Sequence, residues 1–372
     1  MVNDQLSIVN EGDPSARKRV VVAMSGGVDS SVAAALLVEQ GYEVIGMMMR
    51  LWSEPMAEGA VCTDNKCCTP EQMADARRIA DQLNIPFYVV DTQDYFRKTI
   101  VQFFIDEHEN GRTPNPCIEC NRKIRFEYLL NQALALDADY LATGHYARLR
   151  HTADGYHLLE GVDANKDQSY VLHVLGQQQM AHLLFPIGEY SKPQVRELAR
   201  KFNLPVASKS DSQDLCFVGD GNYHRFLREY SEQQFLPGPI LDSDGNKLGE
   251  HKGLPFYTIG QRKGLYISAP EPLYVLRKEL SANALVVGKR AELGRWELTA
   301  ENVNWMDGTP PSEPIPVQIK IRYKAKAVDG VVTALENGRC HVHFDQPVIG
   351  VTAGQGAVFY NGERCLGGGT II

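Results

Sequence analysis

Three features of the sequence predict an α/β protein with an N-terminal doubly wound parallel sheet, a small central α+β domain and a C-terminal β-barrel. Up to His145, short β-rich apolar runs alternate with helical segments, as in a parallel sheet covered on both faces. Beyond Gly219 the texture changes: residues 220–290 mix short polar helices with stretches such as Leu236-Pro237-Gly238-Pro239 and Gly253-Leu254-Pro255. From about residue 291 the chain reads as strands, with hairpin turns at Asn337-Gly338 and Asn361-Gly362. A length of 372 residues exceeds one ordinary core. The expected division is a loose extension over 1–18, then domains at 19–219, 220–290 and 291–372.

The elements follow in order. Arg19-Val20-Val21-Val22-Ala23-Met24 is the first strand. Ser25-Gly26-Gly27-Val28-Asp29-Ser30-Ser31 leads into an alanine-rich helix over 32–40, stopped by Gly41. Val44-Ile45-Gly46-Met47-Met48-Met49 is a second strand. The spacing then predicts a helix over 69–83, a third strand at Phe87-Tyr88-Val89-Val90-Asp91, a helix over 126–136 and a fourth strand over 140–145. In such sheets ligands bind beyond the carboxyl ends of the strands.

Composition narrows the class. Hydrophobic residues at 44% and charged residues at 23% fit a globular chain. No apolar run reaches the ~18 residues that span a bilayer. The polar N-terminus lacks a signal-peptide apolar segment, so a cytoplasmic protein without a membrane partner is expected. The net charge of −8 weighs against nucleic acid, although a local basic face can outweigh an acidic total. The eight cysteines are Cys62, Cys67, Cys68, Cys117, Cys120, Cys216, Cys340 and Cys365. Clustered thiols in a long cytosolic chain point to redox chemistry, sulfur handling or metal.

Strand, Ser25-Gly26-Gly27-Val28-Asp29-Ser30, then helix is the strongest local signal. The glycines let backbone approach a ligand, and the helix start offers N–H groups and a positive dipole end to an anion. Ser25, Ser30 and Ser31 add hydroxyls, and Asp29 could hold Mg²⁺ against phosphate. There is no Gly-Lys-Ser/Thr, so this is not a Walker loop. The plainer alternative is a glycine turn capping a helix. The loop resembles the PP-loop of the N-type ATP pyrophosphatases, which cleave ATP to AMP and pyrophosphate while adenylating a substrate.

Cys117-Ile118-Glu119-Cys120 sits at a loop-to-helix boundary behind Pro114 and Pro116, with Arg122, Lys123 and Arg125 nearby to favour thiolates. Cys216 lies far away in Gln213-Asp214-Leu215-Cys216-Phe217. Sulfur delivery needs one cysteine to carry a persulfide and another to break the S–S bond by exchange. Half of a zinc site, and for Cys216 a small core residue, are the alternatives; spacing alone leaves both open.

From residue 19 onward the chain resembles the tRNA-specific 2-thiouridylases in order and spacing. The matching strings include Ser25 to Ser30, 111–126, Ala142-Thr143-Gly144-His145-Tyr146-Ala147-Arg148 and Lys166-Asp167-Gln168-Ser169-Tyr170. They continue with Ser208 to Phe217, Thr258-Ile259-Gly260-Gln261-Arg262-Lys263-Gly264-Leu265 and Gly354-Gln355. The resemblance implies ATP-dependent 2-thiolation of the wobble uridine (position 34) of tRNA. The uridine C2 oxygen is adenylated, and sulfur then arrives from a cysteine persulfide. It places the nucleophile on Cys120, the persulfide on Cys216 and a closing disulfide between them. It places ATP on Ala23, Met24, Ser25, Gly26, Gly27, Val28, Asp29, Ser30, Met49 and Gly144, with Mg²⁺. tRNA contacts fall on Asn115, Pro116 and Cys117 around the target base, and on His145, Lys166, Asp167, Gln168, Arg322, Tyr323 and Gln355. It also implies tRNA contacts from the 220–290 domain and a persulfide donor, either a cysteine desulfurase or a sulfur-relay protein.

Many members of that family carry Asp where this chain has Cys117. A thiolate is the softer ligand, so an acid–base role there is not expected, and Cys117, Cys120 and Cys216 could together hold a [4Fe–4S] cluster. Cys62, Cys67 and Cys68 are expected on a mobile loop with incidental thiols, with metal binding as the alternative. If 317–327 is one strand, Lys320, Arg322, Lys324 and Lys326 share a face suited to phosphates; an exposed strand with solvated lysines is the alternative. Residues 258–264 form a second basic turn. His224, Trp296 and Trp305 are expected in packing. Two other functions remain: a small-molecule adenylating synthetase, for which no glutaminase segment is visible, and a non-catalytic RNA-binding protein, against which the intact loop speaks.

Overall fold

The structure, a computed structural model, describes residues 17–54, 69–209 and 215–372. The N-terminal part contains strands β1 (Arg19–Ala23), β2 (Glu43–Arg50), β3 (Phe87–Asp91), β4 (Tyr140–Thr143), β5 (Ala147–Thr152), β6 (Gly155–Glu160) and β7 (Leu183–Leu184). Helices α1 (Val28–Glu39) and α2 (Pro70–Gln82) connect the first three. A five-stranded sheet runs in the order β3-β2-β1-β4-β7, and every pairing in it is parallel.

Both faces of that sheet are covered because its central strands are apolar throughout. Val20 and Val22 face a core with α1 and the helix Lys192–Lys201, while Val21 faces the core that holds Phe126 and Leu129. Residues one apart on a strand point to opposite faces. Thr69 starts α2 by accepting from the Gln72 amide, and Gln72 returns the bond in a capping box.

The expected helix at 126–136 begins much earlier. Segments Pro116–Glu119, Cys120–Leu129 (π-wound) and Leu130–Leu134 form one continuous run. Asn115 accepts from the Cys117 amide as N-cap, and Pro116 occupies the first helical position, where its missing N–H costs nothing. Pro116 starts this helix, while Pro114 lies in the loop ahead of it, where Asn115 is extended (φ −110°, ψ 93°).

The central domain has the helix Tyr223–Tyr230 and strands β8 (Gly238–Leu241), β9 (Lys247–His251), β10 (Tyr274–Glu279) and β11 (Ala284–Gly288). They form a sheet of order β10-β11-β8-β9. Its core is continuous with the first domain: Ile240, Val275 and Leu285 share one cluster with Phe96, Phe104, Cys120 and Phe217.

The C-terminal strands are β12 (Gly294–Trp305), β13 (Ile315–Lys320), β14 (Val328–Leu335), β15 (Arg339–Ile349), β16 (Gly356–Asn361) and β17 (Arg364–Ile371). They run β12-β15-β14-β13-β16-β17, and β17 pairs back onto β12, which closes a six-stranded barrel. Asn337 (φ 58°) and Gly338 (φ 66°) make the primed turn foreseen between β14 and β15. The hairpin β5–β6 of the N-terminal part extends the barrel sheet through Leu159 opposite Arg364. Among the described residues no helix is long and apolar enough to cross a membrane.

Candidate active site at the switch point of the parallel sheet

Chain order reverses between β1 and β4, and the crevice this opens is where such sheets bind ligands. The turn after β1 lies there. Gly26 has φ 68°, and a Cβ on it would sit 2.3 Å from the Gln72 carbonyl oxygen. Gly27 is the N-cap of α1 and has no side-chain cap. A Cβ on Gly27 would meet only the Ser25 Oγ, at 3.4 Å, so its missing side chain leaves room for a ligand. The Ser30 hydroxyl accepts from the Ser25 amide at 3.2 Å, and Ser31 Oγ donates to the Gly27 carbonyl at 2.7 Å. Gly144, just past β4, packs on the start of α1; a Cβ there would lie 2.7 Å from the Ser30 nitrogen. The first turn of α1 thus faces the crevice with N–H groups that the helix itself does not satisfy and with a positive dipole end.

Two lysines flank the turn. Lys192 Nζ donates to both Asp29 oxygens, at 2.8 and 2.9 Å, and the Tyr146 hydroxyl donates to Oδ1 at 2.7 Å. Lys209 Nζ donates to the Gly26 carbonyl at 3.1 Å and to Asp75 at 2.9 Å. Asp29 was the expected Mg²⁺ ligand; here its carboxylate is held by Lys192 and Tyr146. Sequence reasoning gave no role to Lys192, Lys209 or Tyr146. The sequence signals were Ser191-Lys192-Pro193, a capping-box helix start, and Lys209 inside a matched string.

Cys117 is exposed in the first turn of its helix, while Cys120, one turn on, is buried. Cys120 belongs to the core cluster of Phe217, against which Cys216 and Met49 also pack. Cys120 and Cys216, distant in sequence, thus border the same hydrophobic core, which runs from the N-terminal into the central domain and which Met49 at the end of β2 also joins. The nearby cations are partly engaged: Arg122 pairs with Glu119 at 3.2 Å and Lys123 with Glu127 at 3.0 Å. Among the described residues no three His, Cys, Asp or Glu converge as metal ligands. Cys117, Cys120 and Cys216 do not fit the donor set of an iron–sulfur cluster as they stand. Cys340 and Cys365 are buried in the barrel, and burial pushes both thiols up to about 12. Cys62, Cys67, Cys68 and residues 210–214 lie outside the described residues.

The barrel grips the loop before Cys117. Gln355 Nε2 donates to the Thr113 carbonyl at 2.7 Å, and the Thr113 amide donates to Ala353 at 2.8 Å. Gly354 (φ 91°) comes so close that a Cβ would lie 3.0 Å from three Thr113 backbone atoms. Tyr170 OH donates to the Gly356 carbonyl at 3.0 Å, and the Tyr170 and Tyr323 rings lie 6.2 Å apart. Burial raises Tyr323 to about 12, with Asp167 and Cys117 near enough to contribute.

The other residues expected at tRNA have varied settings. His145 is buried between Phe126 and Phe185, with Nδ1 2.7 Å from the Thr143 hydroxyl, and burial holds its pKa well below the ordinary value. Asp167 is buried and accepts from Gly161 N, Ser169 N and Ser169 Oγ. Gln168 Oε1 accepts from the Tyr146 amide at 3.0 Å and fixes the loop after Gly144. Lys166 is half-buried.

The four-cation strand face is corrected. β13 stops at Lys320, residues 321–325 are bends and a turn, and the next strand starts only at Val328. Lys320 turns inward to Glu160 and Asp167. Arg322 Nη2 donates to the carbonyls of Ile259 (3.1 Å) and Gly350 (3.0 Å) and to Thr352 Oγ1 (3.0 Å), tying the central basic turn to the barrel. These bonds draw Arg322 out of strand alternation, and only Lys324 and Lys326 stand exposed.

A glycine-rich anion loop at a parallel-sheet switch point marks the nucleotide-binding HUP class, and a family model described as a tRNA methyl transferase HUP domain matches residues 18–220. Companion models, a tRNA methyl transferase PRC-barrel domain and an aminomethyltransferase beta-barrel domain, match 224–289 and 295–371. The chain is 48% identical over 358 residues to the tRNA-specific 2-thiouridylase MnmA of Magnetococcus marinus, covering 95% of this chain and 99% of that one. It is 47% identical to the protein of that name from Heliobacterium modesticaldum, covering 96% and 93%, and 46% identical to that of Acetivibrio thermocellus, covering 95% and 99%. The chain belongs to the tRNA-specific 2-thiouridylase family.

Proposed function

We propose that this protein is a tRNA-uridine 2-sulfurtransferase: it adenylates the C2 oxygen of the wobble uridine with ATP and replaces that oxygen by sulfur. The observation that supports the reading is that Cys120 and Cys216, far apart in sequence, border one hydrophobic core, in a chain that also carries a glycine loop at the start of α1. An adenylating site alone would leave two such thiols idle.

ATP's phosphates fit the N–H groups at the start of α1, with Lys192 and Lys209 as the neighbouring cations. Mg²⁺ would neutralise phosphate charge, with Asp29, which Lys192 and Tyr146 hold beside the loop, as the carboxylate that would hold it. Attack of the C2 oxygen on the α-phosphorus forms a P–O bond and expels pyrophosphate. The terminal sulfur of a Cys216 persulfide then bonds to C2, and AMP leaves with the oxygen. A Cys120 thiolate attacks the Cys216 Sγ and breaks the S–S bond. The electron pair of that bond goes to the sulfur on C2, which leaves 2-thiouridine and a Cys120–Cys216 disulfide. A cytosolic thiol reductant returns both to thiols, and a protein persulfide donor reloads Cys216.

The decisive experiment measures pyrophosphate release and nucleoside mass together, with purified protein, ATP, tRNA and a persulfide source. Pyrophosphate release that requires tRNA and a 2-thiouridine product are expected. Release independent of tRNA would favour a small-molecule synthetase.

A further inference from the structure

A cavity of about 260 Å³ opens on the central domain, apart from the glycine loop and the thiols. Its lining includes Arg228, Lys252, His224, Phe256 and Tyr266, and among the described residues no carboxylate lines it. In a chain of net charge −8 an acid-free cavity with two cations is a local reversal of sign. Tyr266 is 89% exposed and holds φ at 53°. A bulky side chain in the left-handed region is an outlier, and such outliers cluster at ligand sites. Lys252 Nζ lies 5.6 Å from the Tyr266 ring centroid, and the Arg228 guanidinium lies 4.5 Å from that of Phe256. Each cation is thus placed beside an aromatic face.

A displayed ring flanked by cations suits a planar base carrying a phosphate. An acidic peptide would use the cations and leave the ring without purpose; an apolar ligand would leave the cations desolvated. The location agrees with a strand passing by. Arg262 and Lys263 stand exposed on the adjoining turn, which Arg322 ties to the barrel through the Ile259 carbonyl. We infer that this cavity is a second nucleotide subsite, in which one unpaired base stacks on Tyr266 while Lys252 and Arg228 hold its phosphate. Where the nucleotide belongs to an RNA strand, the inference rests on the tRNA reading above. A free nucleotide is the other source of the same chemistry.

The test compares the full-length wild type with Tyr266→Ala, Tyr266→Phe and Lys252→Gln, using tRNA and uridine 5′-monophosphate as separate probes. Tyr266→Ala should raise KM for tRNA about 10-fold with kcat unchanged, and Tyr266→Phe should restore it, because stacking needs a ring and not a hydroxyl. Lys252→Gln should reduce the slope of log K against log salt by about 0.7. Unchanged tRNA binding together with loss of uridine monophosphate binding in Tyr266→Ala would support the subsite and assign it to free nucleotides. Unchanged binding of both probes in Tyr266→Ala would overturn the inference. A wild type that does not bind tRNA would sink the thiolation reading instead, and the monophosphate arm alone would then decide the subsite.

Discussion

The glycine loop and the thiol helix lie at the same end of one sheet, but they are held differently. The loop is complete within one strand–turn–helix unit: β1 ends, Gly26 turns at φ 68°, and Ser30 and Ser31 fasten the turn. The start of the thiol helix is held from afar, by Gln355 and the Ala353 carbonyl on Thr113, by Gly354 packed against Thr113, and by the core that Cys120 shares with Phe217. A unit whose backbone is closed on itself should lose its shape only when its own residues change, although distant cations such as Lys192 still bear on what it binds. A unit assembled from distant parts should also fail, more mildly, when the clasp is cut.

The largest effects separate the two units. Gly27→Val should abolish pyrophosphate release and leave the fold intact, because a side chain there enters ligand space and meets only Ser25. Cys120→Ser and Cys216→Ser should each abolish 2-thiouridine while pyrophosphate release persists, with a persulfide detectable on Cys216 alone. Normal thiolation in Cys216→Ser would show that sulfur travels by another route. Retained pyrophosphate release in Gly27→Val would mean the phosphates bind elsewhere.

Lys192→Met sharpens the loop side. It removes a charge-assisted bond worth ~1.5–3 kcal/mol, so kcat/KM for ATP should fall about 10- to 100-fold. Thiolation should fall in parallel, because adenylation precedes it. A variant with normal ATP kinetics but a lowered melting temperature would show that the Lys192–Asp29 pair serves only stability.

Gln355→Ala cuts the clasp. One neutral hydrogen bond contributes ~0.5–1.5 kcal/mol, so a drop in thiolation of roughly 3- to 10-fold is expected, with tRNA-independent ATP binding untouched. An equal loss of ATP binding would collapse the distinction between the two units.

The same contrast explains what the sequence revealed. The parallel sheet was legible because β1 to β4 are apolar runs split by helices with their own start and stop signals, and the Asn-Gly turn at 337–338 marked a barrel hairpin. The glycine loop was legible for the same local reason. Spacing could not foretell that Pro116 opens a helix, because proline serves extended loops and first helical turns alike. Nor could it show Lys192 on Asp29, a contact between residues 163 positions apart. Only family resemblance linked Cys120 and Cys216 beforehand; alternation, turns and caps say nothing about which distant thiols border one core.

The smallest expected effect concerns the barrel's cations, where alternation misled. Read as one strand, 317–327 offers four cations to phosphates. The structure spends two of them internally: Lys320 on Glu160 and Asp167, Arg322 on three oxygens that join the central turn to the barrel. A cation already paired releases few counterions when RNA binds, so it adds little to the salt dependence. Replacing Lys324 and Lys326 with Gln should therefore lower the slope of log K against log salt by at most about 1.5, near 0.7 for each phosphate that is no longer neutralised. Lys320→Gln should leave the slope unchanged and lower thermal stability instead, since it strands the buried Asp167 beside Glu160. A slope change in Lys320→Gln as large as in the double variant would mean that the ion pair opens on binding and that the alternating-strand reading describes the bound state.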